Sequence, residues 1–171
     1  MNVLVTGRPG VGKTTLIKRF LLHFKGQAAG FCTEEIKEEG KRAGFKIVTL
    51  DGKEGILSLV STESPYRVGK YGVKLVEFEK LALPAIEKAL SEEQLIVIDE
   101  IGKMELFSVR FQELVLKSLD SSNAVLATMG KISHPFINQV LKRPDVHRVE
   151  ITPVNRDDLV SKLARLIKTE K

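Results

Sequence analysis

The 171-residue chain has no tryptophan, only two tyrosines and one cysteine, Cys32. One cysteine excludes an internal disulfide, so packing alone must hold the fold. No apolar run approaches the ~20 residues needed to cross a bilayer, and no spanning helix is expected. His23, His134 and His147 share no ligand spacing with one another or with Cys32, so no transition-metal site is expected. Aromatic residues make up 6% of the chain and are not interleaved with basic ones, which argues against a nucleic-acid stacking surface. Cys32 lies in an apolar, strand-like run and reads as core rather than nucleophile.

The length suits one ordinary domain, spanning 1–171, with a core that needs no metal or disulfide. Met1 leads directly into a strand-like run, so we expect no signal peptide and a cytoplasmic, monomeric protein without membrane contact. The formal charge of +5 is spread among glutamates, as in EKLALPAIEKALSEE and KEEGKR. The basic excess is assigned to a phosphate pocket and solvated helix faces, not to nucleic acid.

Residues 7–14, GRPGVGKT, fit the pattern G-x-x-x-x-G-K-[ST] between an apolar run, Val3-Leu4-Val5, and the helix-like TLIKRFLLHF. In that context the string describes a phosphate site. Gly7, Gly10 and Gly12 allow backbone N–H groups to curl around phosphate oxygens, with Arg8, Pro9 and Val11 between them. The helix beginning near Lys13 adds its positive dipole end, and Thr15 continues its first turn. Lys13 brings a charge to the β- and γ-phosphates, and the Thr14 hydroxyl offers an oxygen to Mg²⁺.

Strand one is expected over Asn2 to Thr6, followed by an amphipathic helix on Leu16, Ile17, Phe20, Leu21 and Phe24. Between Ala28 and Ser61, the runs GFCTEEI, GFKIVTL and GILSLVS with intervening EEGKR and DGKEG predict an antiparallel meander joined to a parallel sheet. The segment from Thr62 to Val73 reads as a loop, with Val73 to Val76 extended. A helix from Phe78 to Leu90 should be bent or split by Pro84. Further elements are expected as a buried strand Leu95 to Ile98, a helix from Val109 to Leu119 on which Phe107 and Phe111 pack, and a strand Ala124 to Thr128. Beyond these come a helix opened by Ser133 and Pro135, a strand Arg148 to Ile151, and a helix from Arg156 to Ile167, with Ser133 and Asn155 as N-caps.

The apolar run LIVI ends in Asp99-Glu100, an acidic pair at the sheet edge that also carries the phosphate loop. Asp99 is expected to hold the Mg²⁺ shell, directly or through water, and Glu100 to polarise a water against the γ-phosphate. Thr128 ends the next strand; its hydroxyl could bind the attacking water or the γ-phosphate, or it could be an ordinary β-branched strand residue. Lys103 could stabilise developing phosphate charge, lock Glu100 in an ion pair, or be a solvated lysine. Arg67, Lys70, Arg148 and Arg156 are further cations that could reach phosphate or base. For the transition-state cation we favour Lys103, which is tethered within one turn of the acidic pair.

The chain resembles the thermophilic nucleoside-triphosphatases, which include the so-called cancer-related nucleoside-triphosphatase. The likeness rests on GRPGVGKTTLIKR (7–19), GFCTEEI (30–36), RAGFKIVTLDG (42–52), RVGKYGV (67–73), LALPAIEKA (81–89), VIDEIGKMELFS (97–108) and NRDDL (155–159). It implies a three-layer α/β/α phosphate-loop NTPase domain of the RecA-like type, a mostly parallel sheet with an antiparallel meander extension. It also implies slow, Mg²⁺-dependent hydrolysis of ATP, GTP, CTP and UTP with loose base selectivity, triphosphate binding on Gly7 to Thr14, metal at Asp99 and water activation at Glu100. A nucleotide or nucleoside kinase, or a switch stimulated by nucleic acid or a partner, would use the same loop.

Overall fold

The computed structural model describes residues 1–168, and its strands form one nine-stranded sheet. Strand β1 (Asn2–Gly7) leads through the phosphate loop into helix α1 (Lys13–His23). Strands β2 (Ala28–Glu38), β3 (Lys41–Thr49) and β4 (Glu54–Leu59) form the antiparallel meander, and β5 (Arg67–Val68) with β6 (Tyr71–Val73) extends it. Helix α2 (Leu75–Ser91), strand β7 (Leu95–Ile101), helix α3 (Val109–Asp120) and strand β8 (Val125–Gly130) follow. Helix α4 (Pro135–Leu141), strand β9 (Val146–Glu150) and helix α5 (Leu159–Leu166) complete the order.

The sheet runs β5-β6-β4-β3-β2-β7-β8-β1-β9. Strands β2, β7, β8, β1 and β9 are parallel, and everything beyond β2 is antiparallel. The expected parallel sheet with a meander extension is therefore present, in the three-layer form the resemblance implied. Alternation within single strands divides the core. Val3, Val5 and Val97 face α1 and α5, packing with Leu16, Ile17, Phe20, Leu159 and Leu163. Leu4, Ile96 and Ile98 face the other layer, where Phe78, Ile86, Phe111, Val115 and Phe136 close over them. Burial on both faces explains why these strands read as continuous apolar runs. No helix among the described residues is long and apolar enough to cross a membrane.

Several local expectations are corrected. The Thr62–Val73 loop contains the β5–β6 hairpin, whose two- and three-residue strands are too short for a periodic signal. The chain is already helical from Leu75, so Val73 to Val76 is not one extended run. Of the two outcomes expected at Pro84, splitting does not occur: α2 continues through it, with Phe78, Ala82, Leu83, Ile86 and Ala89 burying one helix face on both sides of the proline. His134, not Ser133, caps α4: its Nδ1 accepts from the Phe136 amide at 3.1 Å. Asn155 does not cap α5, which begins only at Leu159; its side chain accepts from the Thr152 amide at 2.7 Å and donates to Glu150 O at 2.8 Å.

Gly30 sits where β2 lies against β7, with φ of 129° and no room for a Cβ beside the Val97 carbonyl. Gly30→Ala should destabilise the fold by about 3 kcal/mol or more, combining backbone strain with a collision against backbone. Urea unfolding of the purified variant measures it.

Candidate functional site

The phosphate loop spans the C-terminal end of β1 and the first turn of α1. Gly10 and Gly12 adopt φ of 76° and 109°, the left-handed region that side chains disfavour. Gly7 is needed for contact instead: a Cβ there would lie 2.8 Å from Ile151 Cγ2 at the end of β9. Val11 is buried and anchors the loop, while Arg8, Pro9 and Gly10 are exposed. Lys13 is buried, and its Nζ donates to Gly7 O and Arg8 O, both at 3.1 Å. The ammonium group is thus held inside the curl of the loop.

Asp99, two residues before the end of β7, has no exposure. Thr14 Oγ1 donates to its Oδ2 at 2.8 Å, and Thr128 Oγ1 donates to its Oδ1 at 2.5 Å. Burial pushes the Asp99 carboxyl above its ordinary range, opposed by the Thr128 and Thr14 hydroxyls, the Thr33 amide and the charge of Lys13. Burial also raises Glu100; Lys13 opposes that shift and Asp99 adds to it. The expected cluster of Lys13, Thr14, Asp99, Glu100 and Thr128 therefore assembles at one sheet edge. Thr128 departs from expectation in its partner: its hydroxyl is engaged by Asp99 and shielded from solvent. Thr14 and Asp99 present hard oxygen donors beside the phosphate loop, the type of set that suits a small divalent cation.

The cations divide differently. Lys103 is exposed and forms no ion pair among the described residues, so the lock on Glu100 is absent. Arg67 donates to Thr62 O and Lys70 O, stapling the hairpin at the far edge of the sheet, and the Lys70 ammonium lies over the Tyr71 ring. With seven strand spacings of ~4.8 Å between β5 and β1, neither can reach the loop. Arg148 touches Thr6 Oγ1 at 3.5 Å, and Arg156 is exposed beyond β9.

Sequence reasoning missed Arg42. A cavity of about 480 Å³ beside the loop is lined by Gly10, Lys13, Thr14 and Glu100 on one side and by Thr33, Glu35, Arg42 and Phe45 on the other. Arg42 Nε donates to Glu35 Oε1 at 2.9 Å and its guanidinium lies over the Phe45 ring. Only the return of β3 along β2 brings it there. A larger cavity of about 700 Å³, lined by Met1, Gln94, Leu95 and Ala124, lies at the opposite ends of the strands and has no phosphate-loop residue. Sequence reasoning also missed Glu105, a buried carboxyl on the 3-10 turn Glu105–Phe107; its apolar neighbours Met104 and Leu106 were the available signal. Cys32, paired in register with Asp99, is core as expected, and burial pushes its thiol up to about 12.

A family model described as NTPase matches residues 2–164. A Thermotoga sp. (strain RQ2) protein, "Nucleoside-triphosphatase THEP1", is 51% identical over 98% of this chain and 96% of its own length. The crystal structure of THEP1 from the hyperthermophile Aquifex aeolicus superposes with a TM-score of 0.91 at 39% identity, covering 99% of this chain and 100% of that one. The solution structure of a human cancer-related nucleoside triphosphatase gives a TM-score of 0.84 at 38% identity, covering 99% of this chain and 98% of that one.

Proposed function

The chain belongs to the NTPase family, and on that premise we propose that it hydrolyses ATP, GTP, CTP and UTP to diphosphate and phosphate, slowly, with Mg²⁺ and with loose base selectivity. Hydrolysis of nucleoside triphosphates follows from the family; the substrate range, metal and rate are our reading. The observation that carries it is the Thr14–Asp99 contact of 2.8 Å beside a loop that buries Lys13.

The β- and γ-phosphates lie against the backbone N–H groups from Gly10 to Thr14, and Thr15 continues the same helix turn. The Lys13 ammonium exchanges its two carbonyl partners for phosphate oxygens. Thr14 and Asp99 would hold Mg²⁺, which when bound neutralises charge on the β- and γ-phosphates. The Thr14 and Thr128 hydroxyls donate to Asp99 and Lys13 lies near it, all favouring its charged form against the burial that raises it. Glu100 orients a water and accepts its proton as the new O–P bond forms. The bond from the γ-phosphorus to the bridging oxygen breaks, and that oxygen leaves with its electron pair on the diphosphate.

These contacts read phosphate, not base. The expected kcat/KM values for ATP, GTP, CTP and UTP lie within about tenfold of each other, equivalent to ~1.4 kcal/mol or less. Phosphate release with Mg²⁺ and each nucleotide, in the absence of any acceptor, tests this; a purine-only enzyme, or no release, contradicts it.

Lys13→Ala should abolish turnover. Glu100→Gln should keep nucleotide binding and lower kcat by about 10² or more, whereas Asp99→Asn should also raise the Mg²⁺ requirement. Titrations of metal and nucleotide separate the two roles, and a Glu100→Gln effect confined to metal affinity would reverse them.

Phosphate-loop hydrolases lacking a well-placed transition-state cation lose ~10³ to 10⁵ in rate, and turnover well below about 1 per second is expected here. Lys103 and Arg42 are the candidates for that role, the first by tether and the second by its place in the cavity wall. Single-turnover rates of Lys103→Ala and Arg42→Ala at saturating Mg²⁺-nucleotide decide between them: the variant that loses about tenfold or more identifies the cation.

A further inference from the structure

A break in strand pairing brings one arginine into the cavity of the reacting groups. Strands β2 and β3 pair without interruption from Phe31–Thr49 to Ile36–Gly44; the register then shifts, so that Lys37 pairs with Arg42 and Ala43 has no partner on β2. In a regular strand Arg42 and Phe45, three residues apart, would face opposite sides of the sheet. The extra residue forms a β-bulge, and it turns Arg42 onto the face shared by Phe45 and its cross-strand partner Glu35. The guanidinium carbon then lies 5.2 Å from the Phe45 ring centroid, and Nε donates to Glu35 Oε1 at 2.9 Å. Tyr71 packs edge-on against that ring, with centroids 5.6 Å apart, and also borders the guanidinium. No second carboxylate pairs with Arg42 among the described residues.

We propose that Arg42 is the transition-state cation of hydrolysis and that Glu35 is the positioning residue that aims it. The inference rests on the hydrolase reading and deepens it. Arg42, Glu35 and Phe45 line the same cavity as Lys13, Thr14 and Glu100, whereas Lys103 does not line it. That cavity therefore holds the loop lysine, the water-orienting carboxylate and one arginine, the set that transfer of a phosphoryl group to water requires. Glu35 takes only Nε, so the terminal nitrogens of the fork, Nη1 and Nη2, remain for a pair of phosphate oxygens. A partly exposed ion pair of this kind is weak, and the guanidinium can lean from the ring toward phosphate at little cost. Negative charge on the transferring group and on the bridging oxygen shifts as the bond to the diphosphate breaks. A guanidinium placed there stabilises the transition state more than the bound triphosphate, so Arg42 acts on rate and not on binding.

The test applies two readouts to wild type, Arg42→Ala, Arg42→Lys, Glu35→Ala, Glu35→Gln and the Glu35→Ala/Arg42→Ala double variant. The first is single-turnover hydrolysis of Mg²⁺-ATP, giving a rate and a half-saturating concentration. The second is affinity for Mg²⁺-ADP with and without aluminium fluoride, a mimic of the phosphoryl group in transit. Both side chains are partly exposed, so the variants should fold. Arg42→Ala should lose about tenfold or more in rate with little change in half-saturation. It should lose a similar factor in affinity for ADP with aluminium fluoride, while affinity for ADP alone changes by less than about twofold. Arg42→Lys keeps the charge without the fork and should recover only part of the loss. Glu35→Ala should lose about threefold to tenfold in rate, and Glu35→Gln, whose amide oxygen still accepts from Nε, should recover most of it. In the Arg42→Ala background, Glu35→Ala should have no further effect, because it acts through the arginine. Arg42→Ala with unchanged rate and unchanged aluminium fluoride affinity, or a Glu35→Ala loss that persists in the Arg42→Ala background, overturns the inference. Absence of phosphate release by the wild type would instead count against the hydrolase reading itself, and the aluminium fluoride affinities would still decide the role of Arg42.

Discussion

The rest of the site depends on one buried carboxylate, Asp99, and the two hydroxyls that donate to it. Thr14 belongs to the first turn of α1 and Thr128 to β8, so the three residues tie the ends of three segments into one hydrogen-bonded knot. Because β8 lies between β1 and β7, the acid must reach past a neighbouring strand to meet the phosphate loop. A carboxylate without solvent is costly unless its oxygens are satisfied, and the knot meets that demand from both sides. Thr14 is thereby fixed where loop, helix and acid meet.

Close backbone approach supports this knot from outside. At one side, Gly7 lets Ile151 of the β9 end lie against the loop, where a side chain would lie 2.8 Å from it. At the other, Gly30 lets β2 sit against β7, just before Cys32 pairs with Asp99 in register. Helices on both faces then exclude water from β1, β7 and β8, so each functional side chain emerges from a rigid, dry strand end.

The meander adds a second wall. Lys18 on α1 pairs with Glu34 on β2, and Lys46 on β3 lies between Glu34 and Glu54. Such partly exposed pairs add little stability each. Their consequence is spatial: they hold Thr33, Glu35, Arg42 and Phe45 opposite the phosphate loop and turn a shallow strand edge into a cavity. The charges lining that cavity differ in depth, since Lys13 is buried whereas Arg42 remains half in water with its carboxylate partner.

Much of this is legible in the sequence. The spacing GRPGVGKT specified the loop, the run LIVIDE specified a buried strand with acids at its end, and alternating short runs specified the meander, because each depends on local backbone geometry or on period. The strand Ala124 to Thr128 alone could not reveal which oxygen Thr128 serves, and only its place beside Asp99 assigned the hydroxyl to the acid. Pairings between strands distant in sequence brought Arg42 to the loop and carried Arg67 and Lys70 away from it. Glu105 stood out in no local pattern, because only the packing of the turn after β7 buries it. Sequence by itself determined which chemistry the chain carries, through patterns confined to a few neighbouring residues. Tertiary structure decided which charges face that chemistry, because burial and strand order are properties of the packed sheet.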